Sequence, residues 1–295
     1  MMITVTAYMK RHPAPSYFAL TFVISWGGML LVAGRGGIPA PPELTGMQAL
    51  FVMLAWFGGP SLASILLTGL LYGRAGFRDL LTRMVRWRVG ARWYAVALLT
   101  APLLFLAISL GLALSSPAFL PGILTSNDKA ALLLFGLGYG LIGGGFLEEL
   151  GWTGFATPTL LRRMRYGVLG TGLIVGVLWG ALHFLVFFWM GRPSGGLPLA
   201  LFLPVDFFLA VAGLTAFRVL MVWVYDRTES LLVAMLMHAS WSAGTFILGP
   251  VAIAGVAFLT YTFAGAAVLW VVVAAVAVAS RKQLSGQPPL RRRLA

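Results

Sequence analysis

Long apolar runs separated by short, mostly basic segments make up nearly the whole chain. The runs lie at about residues 16–33, 47–72, 94–114, 130–150, 169–190, 199–225, 231–248 and 251–279. Each is close to the roughly 20 residues that a helix needs to cross the hydrocarbon core of a bilayer. The pattern predicts an all-α, polytopic integral membrane protein with about eight transmembrane helices.

The distribution of Lys and Arg predicts an orientation in the membrane. Basic residues cluster before the first run, after the second, just after Arg162, in the 226–229 turn and at the C-terminus. The intervening segments carry only Arg35, Lys129 and Arg192. Because cytoplasmic loops hold the excess of Lys and Arg, this alternation predicts a multi-pass protein of the cell membrane with both termini in the cytoplasm.

The basic segment at residues 74–92 has a pattern of its own. It contains six arginines and one acid, and its apolar residues recur at helical spacing: Phe77, Leu80, Leu81, Met84 and Trp87. This pattern predicts a basic amphipathic helix at the membrane interface, in contact with anionic lipid headgroups.

Composition narrows the possible classes. With 60% of its residues hydrophobic and 10% charged, the chain is not a soluble domain. It has no cysteine, which excludes disulfides, thiolate catalysis and cysteine-ligated metals. The net charge of +13 falls in short clusters between apolar runs, so topology and lipid headgroups explain it better than nucleic acid does, and no nucleic-acid partner is expected.

A few ionisable groups lie inside the apolar runs. Glu148 and Glu149 are adjacent acids, and His183 and His238 each lie alone in an apolar run. Ionisable groups at bilayer depth are costly and usually functional. His238 and Ser242 are four residues apart and share one helix face, whereas Glu149 is turned about 100° from Glu148. We therefore expect a catalytic site in which one carboxylate is the base and its neighbour orients it.

Three stretches resemble the motifs of a known family. EELGWTGFATPTL, WGALHF and YDRTESLLVAMLMHASWS are similar to the three motifs of the CPBP or Abi family, the intramembrane CAAX-processing and bacteriocin-processing glutamic endopeptidases. The resemblance extends over about residues 59–242. It implies that Glu148, with His183, activates water for attack on a peptide bond in a membrane-associated or lipidated peptide. It also implies that Glu149 supports Glu148, and that His238 and Ser242 stabilise the oxyanion.

The expected organisation follows from these motifs. We expect one transmembrane helical domain over residues 1–280, with the catalytic core at about 130–248, and a basic cytoplasmic tail over 281–295. The glycines and Pro158 that follow the acid pair predict a helix break there. His183 conflicts with simple counting, because it lies ~27 Å along its span from Arg165 whereas His238 lies only ~13 Å from its turn.

Two positions depart from the family pattern. Thr153 stands where the Glu-Glu-x-x-x-Arg motif has arginine, and Ser242 stands where the third motif has asparagine. If Thr153 only replaces an accessory ion pair, an arginine restored there is expected to leave activity intact or raise it. Arg218, eight residues before the 226–229 turn, is expected to snorkel to the headgroups rather than to pair with an acid.

Other function classes remain open from the residues alone. One is a non-catalytic relative acting as a membrane scaffold or bacteriocin-immunity factor, and another is a transporter that uses the acids and histidines as a proton relay. No internal repeat supports the transporter. No metal or other cofactor is expected, because each histidine comes alone from a different helix and a hydroxyl, not a ligand, follows His238 by one turn.

Overall fold

The computed structural model describes residues 2–33, 46–189 and 193–279. Its longer helices are α1 (Met2–Arg11), α2 (Pro13–Ala33), α3 (Gly46–Met84), α4 (Ala91–Ala113), α6 (Lys129–Arg163), α7 (Gly167–Leu182), α9 (Leu199–Thr228), α10 (Leu231–Ile247) and α11 (Gly255–Ala279). Two short helices, α5 (Gly122–Thr125) and α8 (Phe184–Trp189), lie between them. These ranges contain no strand, so the predicted all-α class is confirmed.

The helices are long and apolar enough for a multi-pass membrane protein, as predicted. Within the described ranges, seven helical segments satisfy the length and composition of a membrane span. The predicted span at 231–248 is the helix α10, which has only 17 residues. Eight crossings therefore stay a prediction. The predicted tail at 281–295 lies outside the described residues, as do Arg35 and Arg192.

The second span and the basic segment form one bent helix, α3. The bend is at Gly73, whose φ of 58° and ψ of −145° suit a residue without a Cβ. The predicted amphipathic helix is wrong beyond Met84, where α3 ends. The chain there is tied to the bundle instead, because the Ser230 hydroxyl donates to the Arg86 carbonyl at 2.6 Å.

Helix α6 carries the acid pair and is continuous where a break was predicted. Three of its segments, Gly140–Glu148, Trp152–Ala156 and Thr159–Arg163, are π-helical. Wide π turns keep the backbone hydrogen-bonded while they change the direction in which side chains point, and they recur at functional sites. The glycine-rich π segment packs closely on α10: a Cβ added at Gly145 would lie 2.9 Å from the Met235 carbonyl oxygen.

The remaining helices pack around α6 and α10. Helix α9 packs along α7 and α11, and α10 lies between α4 and the π segment of α6. At one end of the bundle Glu229, with a left-handed φ of 49°, accepts hydrogen bonds from Arg86 at 3.0 Å and Arg162 at 2.6 Å. Three of the predicted cytoplasmic segments thus meet at the same end, which we call the basic end.

Candidate active site

Glu148 is buried and is held by two tryptophans. Its Oε2 accepts the indole N–H of Trp152 at 2.9 Å and that of Trp179 at 2.6 Å. Trp152 lies one turn further along α6, whereas Trp179 comes from α7. Among the described residues both of these bonds go to Oε2, which makes Oε1 the oxygen suited to hold a water. Only 2% of Glu148 is exposed, so these donors also stabilise its charge.

Glu149 points to a different set of partners and does not support Glu148 directly. Its Oε1 lies 2.6 Å from His238 Nδ1 and 2.8 Å from Arg218 Nη1. Its Oε2 accepts from the same Arg218 nitrogen at 3.0 Å and from the Thr153 hydroxyl. The second carboxylate therefore orients a histidine and not Glu148, and the two acids, turned about 100° apart, face different partners.

His238 joins Glu149 to the site. A carboxylate only accepts hydrogen bonds, so the Nδ1 of His238 carries a proton towards Glu149. The ring meets Trp179 edge-on, with centroids 4.9 Å apart. A Cβ added at Gly144 would lie 2.9 Å from His238 Nε2 and would also press against the Ser242 Oγ. The absence of a side chain at Gly144 therefore allows His238 and Ser242 to pack directly against the α6 backbone.

His183 lies just after α7, close to the same tryptophan. Its Nδ1 is 2.8 Å from the Trp179 carbonyl oxygen, which can only accept, so Nδ1 carries a proton and the neutral ring has its lone pair on Nε2. Its ring also meets Trp56 edge-on, with centroids 5.2 Å apart. Counting residues put His183 and His238 at different depths, but the structure places both in the wall of one cavity.

One cavity of about 660 Å³ brings these groups together. Glu148, His183, His238 and Ser242 all lie in its wall, although they come from α6, from the residue after α7 and from α10. Glu149 does not line it and lies behind His238. The rest of the wall is largely apolar and includes Trp56, Phe57, Phe105, Phe187 and Trp241. Its contributions from α3, α4 and α9 come from the halves of those helices that lie away from the basic end.

The predicted absence of a metal stays a prediction. In the described ranges no three His, Asp or Glu side chains are grouped so that they could hold a metal ion. Glu149 engages Nδ1 of His238, and the indoles engage Oε2 of Glu148. These two atoms, which could otherwise bind a metal, take part in hydrogen bonds between side chains.

Three residues of this site have contacts that sequence reasoning did not foresee. Trp152 and Trp179 were not among the predicted site residues, although the i, i+4 spacing from Glu148 to Trp152 places those two on one helix face. The expectation that Arg218 snorkels is wrong: its side chain is fully buried and pairs with Glu149. No local pattern points to this pair, since the two residues are 69 positions apart.

A comparison with protein families points to the same region of the chain as the cavity does. Residues 129–244 match the model of the type II CAAX prenyl endopeptidase Rce1-like family. None of the curated proteins searched matches the chain. The matched range begins at the first residue of α6 and ends within α10, so it contains all five predicted site residues and Arg218. Over residues 129–244 the chain is therefore similar to the CAAX proteases of the CPBP family, and the match supports that family for this region.

Proposed function

We propose that this protein is an intramembrane endopeptidase of the glutamic type that hydrolyses a peptide bond in a membrane-associated or lipidated peptide. The match to a protease family supports the hydrolase class. The observation that carries the finer proposal is that Glu148, His183, His238 and Ser242, from three separate parts of the chain, share the wall of one apolar cavity.

Glu148 and His183 form the water-activating side of the site. The two indoles fix the Glu148 carboxylate, and the neutral tautomer of His183 has an Nε2 lone pair that can accept a proton. In the reaction a water held by Glu148 loses a proton to this pair as its oxygen bonds to the peptide carbonyl carbon. The same proton later passes to the leaving amine as the C–N bond breaks.

His238 and Ser242 form the oxyanion side. The Ser242 hydroxyl is a donor, and a His238 ring that carries both protons donates from Nε2 while its Nδ1–H stays on Glu149. Fixed donors aimed at the developing oxyanion gain strength in a cavity that excludes water. The serine at position 242 has a shorter reach than an asparagine, but it lines the cavity together with His238, so a substrate carbonyl in the cavity can approach both donors.

The cavity also indicates the substrate class. Its volume of about 660 Å³ lies in the range of pockets that enclose a small molecule, and its wall beyond the polar groups is apolar and aromatic. The matched family is described as acting on CAAX prenyl substrates. We therefore propose a peptide that carries a lipid chain close to the scissile bond, with the chain in the apolar part of the cavity.

A comparison of wild-type protein with Glu148→Gln tests the proposal. Glutamine keeps an oxygen that accepts from both indoles, so the fold should persist, but it cannot take a proton from water. We expect peptide termini that the wild type generates in membranes to disappear, and purified protein to cleave the matching lipidated peptide at least ~10²-fold more slowly. Identical sets of termini, with both proteins folded, would favour the non-catalytic scaffold.

A further inference from the structure

Arg218, in α9, forms an ion pair with Glu149. Its side chain is fully buried, and its Nη1 donates to both oxygens of Glu149, at 2.8 and 3.0 Å. Thr153 approaches the same carboxylate from α6 itself, one turn after Glu149, and contributes a hydroxyl. Glu149 therefore receives its hydroxyl partner from its own helix and its cation from another.

The position of Arg218 is costly for the fold. Among the described residues its Nε and Nη2 make no hydrogen bond, and its neighbours along α9, such as Phe217 and Val219, are buried apolar side chains. A buried cation that is only partly hydrogen-bonded loses more solvation than one ion pair returns, and such pairs are often less stabilising than apolar packing. Buried ionisable groups with a specific charge partner are often found at functional sites.

Arg218 also contacts Trp179, one of the two tryptophans that bond Glu148. Its guanidinium carbon lies 4.3 Å above the ring of this tryptophan. That tryptophan donates to Glu148, meets the His238 ring edge-on and accepts from His183 through its carbonyl oxygen. One guanidinium thus fixes both Glu149, which holds His238, and Trp179, which holds Glu148. It does so without lining the cavity itself.

We infer that Arg218 is a positioning residue of the active site, which supplies from α9 the charge that the Glu-Glu-x-x-x-Arg pattern would place at position 153. This rests on the proposed function for its catalytic consequence, while the charge pairing stands on geometry alone. Because Arg218 already pairs with Glu149, there is no longer a reason to expect that Thr153→Arg leaves activity intact. In the presence of Arg218, a second guanidinium would face the first across a single carboxylate.

Four variants test this inference: Arg218→Ala, Arg218→Lys, Thr153→Arg and the double variant T153R/R218A. We expect Arg218→Ala to lower kcat by roughly 10- to 100-fold, the usual cost of losing a partner that orients a functional histidine, with KM changed little because Arg218 does not meet the substrate. Thr153→Arg alone should also lower kcat. The double variant should recover kcat to within about tenfold of the wild type, because the charge is moved and not lost. The lysine variant should recover it only in part, because lysine is a point charge without the guanidinium fork.

Thermal unfolding in detergent gives a second readout that needs no substrate. Arg218→Ala leaves Glu149 buried without its cation, so its melting temperature should fall, and T153R/R218A should regain at least half of that loss. Arg83→Ala is the matched control: Arg83 is also a buried arginine, but it bonds Asp79, Gly154 and Tyr225 and does not touch the acid pair. It should lose stability without a change in kcat, and Thr153→Arg should not rescue it.

The two readouts separate this inference from the proposed function. If wild type and Glu148→Gln are equally inactive but T153R/R218A regains stability, the peptidase proposal fails and the charge pairing stands. A wild-type kcat in a folded Arg218→Ala protein would overturn the positioning role. A double variant no more stable and no more active than Arg218→Ala would overturn the equivalence of the two positions.

Discussion

At the residue scale, the candidate active site depends on donors that hold each functional side chain in one orientation. Glu148 is fixed by two indole N–H groups, and His183 and His238 are each fixed through Nδ1. Trp179 takes part in two of these hydrogen bonds, through its indole nitrogen and its carbonyl oxygen, and its ring also meets that of His238. A tryptophan that was not among the predicted site residues is therefore central to the polar geometry.

Trp179→Phe isolates the indole donor, because phenylalanine keeps an aromatic face for Arg218 and His238 but has no N–H. A hydrogen bond to a charged group is worth about 1.5–3 kcal/mol, so we expect kcat to fall by roughly 10- to 100-fold. Single-turnover cleavage of a lipidated peptide measures the effect.

Trp223→Phe is the control for this substitution. Trp223 packs against Trp93, and in the described part of the chain its buried Nε1 makes no hydrogen bond. Its variant should cleave at the wild-type rate. Equal rates for the two phenylalanine variants would show that the bond from Trp179 to Glu148 does not contribute to catalysis.

At the element scale, the π segment Gly140–Glu148 brings α6 and α10 close enough for one site. The wide turns rotate Glu148 and Glu149 relative to a regular helix, and the glycines remove side chains that would separate the two helices. Gly144 is the critical position, because the atoms opposite it belong to His238 and Ser242.

Gly144→Ala should therefore abolish cleavage more strongly than it destabilises the fold. The added methyl would occupy the space beside His238 Nε2, where the oxyanion has to bind. Gly138→Ala, earlier in the same helix, is the matched control, since nothing lies within 4 Å of an added Cβ there. That variant should keep full activity and gain up to about 1 kcal/mol of stability from helix propensity. Both are measured by initial rates and thermal unfolding, and full activity in Gly144→Ala would contradict the proposed oxyanion side.

At the scale of the whole molecule, the open question is the number of membrane crossings. In the described part of the chain seven segments are long enough by themselves, and α10, with 17 residues, extends roughly 25 Å against a hydrocarbon core of about 30 Å. Helix α10 packs between α4 and α6, and Leu231 at its start is fully buried. The clustering of Arg86, Arg162 and Glu229 at one end places three basic segments on the same side.

We predict that α10 counts as a crossing, which gives eight spans and two cytoplasmic ends. Reporter fusions at residue 1 and residue 295 measure this directly, and a fusion in the 226–229 turn is the internal control because that turn should be cytoplasmic. A C-terminal reporter on the opposite side from the N-terminal one would mean an odd number of crossings. In that case α10 would be re-entrant.

The sequence by itself determined the class of the protein and the chemical types at its centre. Twenty-residue apolar runs have few alternatives to helices in lipid, because every backbone polar group must be satisfied internally, and acids or histidines within them are rare enough to indicate a site. The two acids and two histidines were found in this way, and Ser242 by its spacing of four residues from His238; four of these five residues share one cavity wall.

Only the tertiary structure decided which groups meet. Arg218 and Glu149 are 69 residues apart, and Trp179 and Glu148 are 31 apart, so their pairing depends on how α9 and α7 pack on α6 and not on any local period. The same packing placed His183 in the wall of the cavity that Glu148 lines, although counting from the loops put His183 and His238 at different depths. A local pattern fixes which face of a helix a residue occupies, but π turns and the packing of the helices fix its position in the bundle.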